Sequence, residues 1–206
     1  AIVALAALLS ATKHLGVNIK DCVFGQVGLG AAGIGICSLM KEYGVKDVLG
    51  TDIDQDAMLR LGDLGGQACS LSELMSKADI VVATTGVKGL IKPEMVKKGQ
   101  IIMALTNPDP EIEPNVAMEM GAAYATCGKI VNNMLAFPGL FKGTLEAEVT
   151  EITQMMQITF QYYFGLSKMD LILNAVQRKA VAISSFKFLT TFGVDTVSDL
   201  DKGWGN

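Results

Sequence analysis

The chain has 206 residues, 50% of them hydrophobic, which is enough to bury a core and reads as an ordinary globular protein. Its 17 Lys and Arg against 21 Asp and Glu leave a formal charge of -4 with no basic cluster able to neutralise a run of phosphates, so nucleic acid is excluded as a partner. Cys22, Cys37, Cys69 and Cys127 lie far apart without a Cys-x-x-Cys pair, which excludes a disulfide framework or zinc site and suits reduced thiols in a cytoplasmic compartment.

Ala1 to Leu15 is rich in Ala and Leu and stops at Gly16, the pattern of a helix closed by a glycine just past its end. Its first nine residues are apolar, but they lack a basic start and fall short of the roughly 18 needed for a membrane span. A buried helix is the expectation, and no membrane partner is assigned. A core-quality helix at the first position, without an initiator Met, suggests a chain cut from a longer one.

A short apolar run over 21–27 reads as a strand, followed by a glycine-rich turn and a helix from Ala31 to Tyr43 with apolar positions Ile34, Ile36, Leu39 and Met40. Residues 45–51 read as the next strand, completing a βαβ unit that ends at Asp52, with a helix carrying Arg60 beyond it. Ser70-Leu71-Ser72-Glu73 has the form of a capping box opening a helix that ends near Ala78. Residues 79–84 and 100–105 are continuous apolar runs, as expected of strands buried on both faces of a parallel sheet, with a short helix over 93–98 between them. A helix from Pro114, stopped by Gly121, precedes another strand over 122–126. After Pro138-Gly139 the character changes: 145–163 and 169–192 read as helices, and 195–206 as a peripheral end. The fold class is therefore α/β: a Rossmann-type, doubly wound, mostly parallel sheet with helices on both faces over 1–145, and a helical C-terminal extension over 146–206 packed on it.

The turn Gly28-Leu29-Gly30-Ala31-Ala32-Gly33 carries the first functional signal. A pyrophosphate has to approach backbone N–H groups at a helix N-terminus; Gly28 permits the tight turn, Gly30 removes a side chain from the path, and Gly33 allows close packing, while Ala31 and Ala32 keep the space open. The pattern alone is weak in a chain with 22 glycines, but it follows a strand, opens a helix, and has Asp52 19 residues beyond Gly33. Asp52, with Ile53 beside it, is placed to meet the adenosine ribose, and its charge would repel a 2′-phosphate, which favours NAD over NADP. The plainer alternative is that Asp52 caps the turn over 51–54. Asp54 could share the ribose role.

Several separated blocks resemble one family, the malic enzymes, over about residues 1–156. Ala1 to Leu9 is similar to the stretch after the family's Asp-x-x-Gly-Thr element, and Gly28 to Ile34 to its Gly-Ala-Ala-Gly-Ile cofactor turn. Ala104-Leu105-Thr106-Asn107-Pro108 resembles its Ala-x-x-Asn-Pro loop, and residues 132–139 its Asn-Asn-x-x-x-Phe-Pro-Gly element, the most specific of these. The resemblance implies oxidative decarboxylation of malate to pyruvate and CO2 with reduction of NAD, assisted by a divalent metal such as Mg or Mn, in a homodimer or higher homo-oligomer. A malolactic-type enzyme releasing lactate and a non-catalytic NAD-binding regulatory module are the rival readings.

Thr84, Thr85 and Gly86, Asn107, and Asn132 with Asn133 all fall at or just after the carboxyl ends of expected strands, where open α/β sheets bind ligands. Thr84 to Gly86 and Asn107 are cofactor candidates. Asn107, Asn132 and Asn133 are candidates for malate, because an amide offers both donor and acceptor to a small acid. From the residues alone, Asn107-Pro108 could equally start a turn and the paired asparagines cap a helix. The family's metal ligands and its catalytic Lys and Tyr precede the matched region, so no catalytic or metal-binding residue is expected in this chain, and the fragment alone is expected to be inactive. His14 lacks neighbours that would make a ligand set, Lys88, Lys92, Lys97 and Lys98 read as solvated, and Glu146, Glu148 and Glu151 as a solvated helical face.

Overall fold

The computed structural model describes residues 1–132, 136–146 and 148–158. The chain divides into two compact units, one formed by Ala1 with 11–132 and the other by 2–10 with 133–206.

The first unit is built on six parallel strands: β1 (Phe24–Val27), β2 (Val48–Thr51), β3 (Gln67–Ala68), β4 (Ile80–Ala83), β5 (Ile101–Ala104) and β6 (Tyr124–Cys127). Their order is β3-β2-β1-β4-β5-β6, so the chain works outward from β1 to one edge and then returns to build from β4 to the other. In register, Phe24 stands beside Val48 and Ile80, which aligns the carboxyl ends of β1, β2 and β4. This is the doubly wound topology read from the sequence, and its switch point lies between β1 and β4.

Helices α2 (Ala31–Tyr43), α3 (Gln55–Asp63), α4 (Leu71–Lys77) and α5 (Pro114–Glu119) connect successive strands. Every residue of β1, β4 and β5 is buried, which explains their unbroken apolar runs. Val27, Leu49, Val81, Ala83, Ile102 and Ala104 form one core with Leu74 and Met75 of α4 and Ala117 of α5. Each fully buried Val, Leu, Ile or Met side chain there contributes about 1.5–3 kcal/mol. α4 packs so closely on β1 that a Cβ at Gly25 would lie 2.6 Å from Leu74 Cδ2, while across the sheet one at Gly50 would lie 2.5 Å from Leu61 Cδ2 of α3. Cys37, within α2, is fully buried, and that burial pushes its thiol up to about 12 despite a backbone hydrogen bond that favours the thiolate.

Several boundaries differ from those read in the sequence. β1 begins at Phe24, because Ile19–Asp21 forms a 3-10 turn in which Asn18 accepts from Lys20 N. Pro93–Met95 is likewise a 3-10 turn rather than a helix reaching Lys98, and the two-residue β3 was too short to show a period. Ser70 does cap α4, accepting from Glu73 N at 3.2 Å, but the Glu73 carboxylate pairs with Lys77 at 2.7 Å, one helical turn on, so the capping box is only half formed.

In the second unit, residues 2–10 belong to α1 (Ile2–Leu15), whose buried Ile2, Val3, Leu5 and Leu8 agree with the expected core helix. The helix ends at Gly16, with φ 69°, as the sequence indicated. A continuous helix over 145–163 is corrected: α6 (Phe137–Glu146) ends where that helix was to begin, Glu148 takes a φ of 54°, and helical structure resumes at 154. Glu148 and Glu151 therefore do not share a helix with Glu146. The expected helix over 169–192 and the end at 195–206 lie outside the described residues. Among the described residues no helix is long and apolar enough to cross a membrane.

Candidate functional site

β1 delivers the glycine turn to the carboxyl edge of the sheet. Gly28 has a φ of 89°, a left-handed conformation that glycine takes without strain, and its N–H donates to the Thr51 carbonyl at the end of β2. A Cβ there would sit 2.9 Å from the Thr84 carbonyl oxygen. At Gly33 the constraint is packing alone, since a Cβ would lie 1.9 Å from the Gly28 carbonyl oxygen. Gly30 differs: a Cβ there would meet nothing within 4 Å. It is the N-cap of α2 and supplies no capping side chain, and the first turn carries no acidic residue. Gly30, Ala31 and Ala32 are exposed. The first N–H groups of α2 thus face open space at the positive end of a 13-residue helix, an arrangement suited to an anion such as a pyrophosphate.

Asp52, at the end of β2, faces this turn. One carboxylate oxygen accepts from Leu29 N inside the glycine turn and the other accepts from Asp54 N at 3.0 Å. Partial burial works against its charge, but the Leu29, Asp54 and Ile53 N–H groups and the Arg60 guanidinium outweigh it and hold the carboxyl below its usual range. The turn-capping alternative for Asp52 is therefore realised, alongside a tie to the glycine turn. Two bonds leave lone pairs over, so ribose hydroxyls can still be accepted. Asp54 caps α3 through Asp56 N and pairs with Arg60 at 3.6 Å, and Ile53 beside it is fully exposed at this edge.

The turn after β4 is held from below by two buried polar side chains. Gln26 Nε2 donates to Thr84 Oγ1 at 3.0 Å and to the Gly28 carbonyl at 3.1 Å, and Thr84 Oγ1 donates to that carbonyl at 3.3 Å. Glu111, also fully buried, accepts on Oε1 from Thr85 N at 2.7 Å, Thr85 Oγ1 at 2.9 Å and Thr106 Oγ1 at 2.5 Å. The threonine hydroxyls in turn accept from Val87 N and Gly86 N. The side chains of Thr84 and Thr85 are thus occupied within the protein.

Beyond β5 and β6, Asn107 Nδ2 donates to the Gly128 carbonyl at 3.1 Å, and Asn132 Nδ2 to the same oxygen at 3.4 Å. A Cβ at Gly128 would lie 2.2 Å from the Leu105 carbonyl oxygen, so only glycine lets these loops meet. Two of the sequence-selected asparagines are brought together; Asn133 lies outside the described residues. Among the described residues no three His, Cys, Asp or Glu side chains gather into a metal-binding group.

No family model matches the chain. Its relatives are more telling. NAD-dependent malic enzyme 1 of Bacillus subtilis is 55% identical over 159 residues, covering 77% of this chain and 36% of that protein. The bifunctional malic/malolactic enzyme of the same organism is 34% identical over 180 residues, 77% of this chain and 44% of the relative. The crystal structure of the NAD-dependent malic enzyme of Thermotoga maritima superposes with a TM-score of 0.78 at 27% identity, over 90% of this chain and 56% of that one. The chain belongs to the malic enzyme family. NADP-dependent malic enzymes match as well, that of Escherichia coli at 31% identity over 24% of its length.

The chain spans 36% and 44% of the two Bacillus malic enzymes, so it corresponds to a part of such a protein. Within this malic enzyme segment, sequence reading missed Gln26, Glu111 and Gly128. A polar residue inside the apolar run of β1 was a visible signal for Gln26. Glu111 sat in a loop with other acids, and nothing local marked it as buried.

Proposed function

We propose that this chain is the NAD-binding part of an NAD-dependent malic enzyme, which oxidises and decarboxylates malate to pyruvate and CO2. The observation that carries the reading is the open N-terminus of α2 beside Asp52, in a chain 55% identical to an NAD-dependent malic enzyme. The residues fit the dinucleotide: Gly28, Gly30, Ala31, Ala32 and Gly33 would admit the pyrophosphate, Asp52 and Ile53 would meet the adenosine end, and the backbone of Thr84, Thr85 and Gly86 with Asn107 would border the nicotinamide half. When bound, NAD supplies the hydride acceptor. Asn107, Asn132 and Asn133 would orient malate by its carboxylate and hydroxyl.

The Asp52 charge disfavours a 2′-phosphate, and Arg60, the nearby cation, is engaged by Asp54, which supports NAD over NADP. The proposed metal, Mg or Mn, and the proton-transfer groups are assigned to no residue described here. The functional domain is placed at 1–145 with an extension over 146–206. A homo-oligomeric assembly and a cytoplasmic location complete the reading.

Calorimetric titration tests the cofactor assignment: NAD binds more tightly than NADP, and equal affinities would remove it. In the complete protein, malate-dependent formation of NADH and pyruvate is expected. The alternative outcome is lactate with no net NADH; the 55% identity to an NAD-dependent malic enzyme, against 34% to a bifunctional malic/malolactic enzyme, supports pyruvate and NADH. Product analysis separates the two.

A further inference from the structure

We propose that Glu111 is a positioning residue of the cofactor crevice, fixing the turn after β4 against the loop after β5 that carries Asn107. The inference rests on the dinucleotide reading above. Its basis is the donor count around one buried carboxylate: Thr85 N, Thr85 Oγ1 and Thr106 Oγ1 on Oε1, and Thr106 N at 3.4 Å on Oε2. All four groups are donors, so only an acceptor at this position satisfies them, and the two oxygens of a carboxylate supply it.

The arrangement then propagates. Each threonine hydroxyl spends its proton on Glu111 and keeps lone pairs, which accept from Gly86 N at 2.9 Å and Val87 N at 3.1 Å. The N–H groups of Thr85, Gly86 and Val87 are therefore all committed to the Glu111 cluster, and the turn has one backbone orientation. Thr84, one residue before, contacts the Gly28 carbonyl directly and through Gln26. Thr106, one residue before Asn107, is gripped by the same carboxylate. Through a residue of 0% exposure, the glycine turn and the asparagine loop are set in one frame. The backbone of Glu111 adds a second tie, its carbonyl accepting from Ile91 N at 3.1 Å.

The test compares Glu111→Leu, Glu111→Gln and a control, Gln100→Leu, in the full chain. Gln100 is equally buried and bonds the Met75 and Ala78 carbonyls at the opposite edge of the sheet, so its loss destabilises the fold without reaching the crevice. Two readouts are taken below each variant's melting temperature: NAD affinity, and hydrogen exchange of the Thr85, Gly86 and Thr106 amides. Glu111→Leu should weaken NAD about tenfold, the scale of one or two unsatisfied donors, and lose protection at those three amides. Glu111→Gln, which keeps one oxygen for three of the donors, should recover most of both, and Gln100→Leu should lower melting temperature while changing neither. Unchanged protection in Glu111→Leu overturns the proposal, as does the same loss in Gln100→Leu. Absence of NAD binding in the parent chain would overturn the dinucleotide reading instead, leaving amide exchange to decide the role of Glu111. If Glu111→Leu does not fold, Glu111→Gln decides: a partial loss of protection at the Thr85, Gly86 and Thr106 amides that is absent from Gln100→Leu supports the role, and protection identical to the parent's at all three overturns it.

Discussion

Asn107 and Asn132, 25 positions apart in the sequence, donate to a single acceptor, the carbonyl oxygen of Gly128. The relationship fixes which end of each amide meets the carbonyl: both nitrogens donate to it and hold the loop. Asn107→Asp exchanges a donor for a second acceptor facing that carbonyl. It should cost about 1 kcal/mol in a urea titration and raise KM for malate in the complete enzyme, where an added negative charge opposes a dicarboxylate. An unchanged urea midpoint for Asn107→Asp would show that the shared carbonyl is not a constraint.

The glycine turn separates binding from stability. A methyl at Gly30 meets nothing within 4 Å among the described residues, so Gly30→Ala should cost only about 0.5–1 kcal/mol, the loss of a glycine N-cap, while weakening NAD at least about tenfold, because the methyl occupies the space proposed for the ligand. Gly33→Ala drives a Cβ to 1.9 Å from the Gly28 carbonyl oxygen and should destabilise the fold by about 1–3 kcal/mol as well. Paired melting and calorimetric measurements check both. Equal effects of the two substitutions on stability would contradict the difference in their surroundings.

Asp52 links the turn to pH. Its folded carboxyl lies below the ordinary value of 3.8, because its N–H donors and Arg60 outweigh the opposing effect of burial. A depressed folded value means that Asp52 contributes stability above the unfolded value, and that this contribution is lost as pH falls through the folded one. Stability of the parent should therefore decline in acid below about pH 4, and Asp52→Asn should flatten part of that decline. Asp79 behaves alike: burial opposes its charge, but the Val23 N–H and Lys97 prevail, so Asp79→Asn should flatten another part. Asp52→Ala should also narrow the preference for NAD over NADP. Identical acid titrations of parent and Asp52→Asn would refute its share.

At the start of α4, Ser70→Ala should cost about 1 kcal/mol, because the hydroxyl satisfies an N–H that has no partner within the helix. Glu73→Ala should cost about 0.3–0.5 kcal/mol, the worth of an exposed pair one turn apart, since its carboxylate reaches Lys77 rather than the helix start. Chemical denaturation of both variants measures the difference. A larger loss for Glu73→Ala would restore the full capping box.

By itself, the sequence determined the parallel sheet, the glycine turn and the place of Asp52, because each is encoded over a short stretch: unbroken apolar runs for strands buried on both faces, glycines where a Cβ would collide, an acid where the second strand ends. It marked Asn107 and Asn132 through family motifs without showing that they share one carbonyl. Only the tertiary structure decided that Asp52 also holds Leu29 N, that Gln26 braces the turn from beneath, and that Glu111 gathers Thr85 and Thr106. The physical reason is range. Asp52 reaches back 23 residues and Glu111 26, across separate strands, and burial turns an unremarkable loop Glu into the acceptor that orders the crevice. The break after Glu146 and the positive φ of Glu148 were likewise hidden, since side-chain spacing gave no sign that the backbone would leave the helix there.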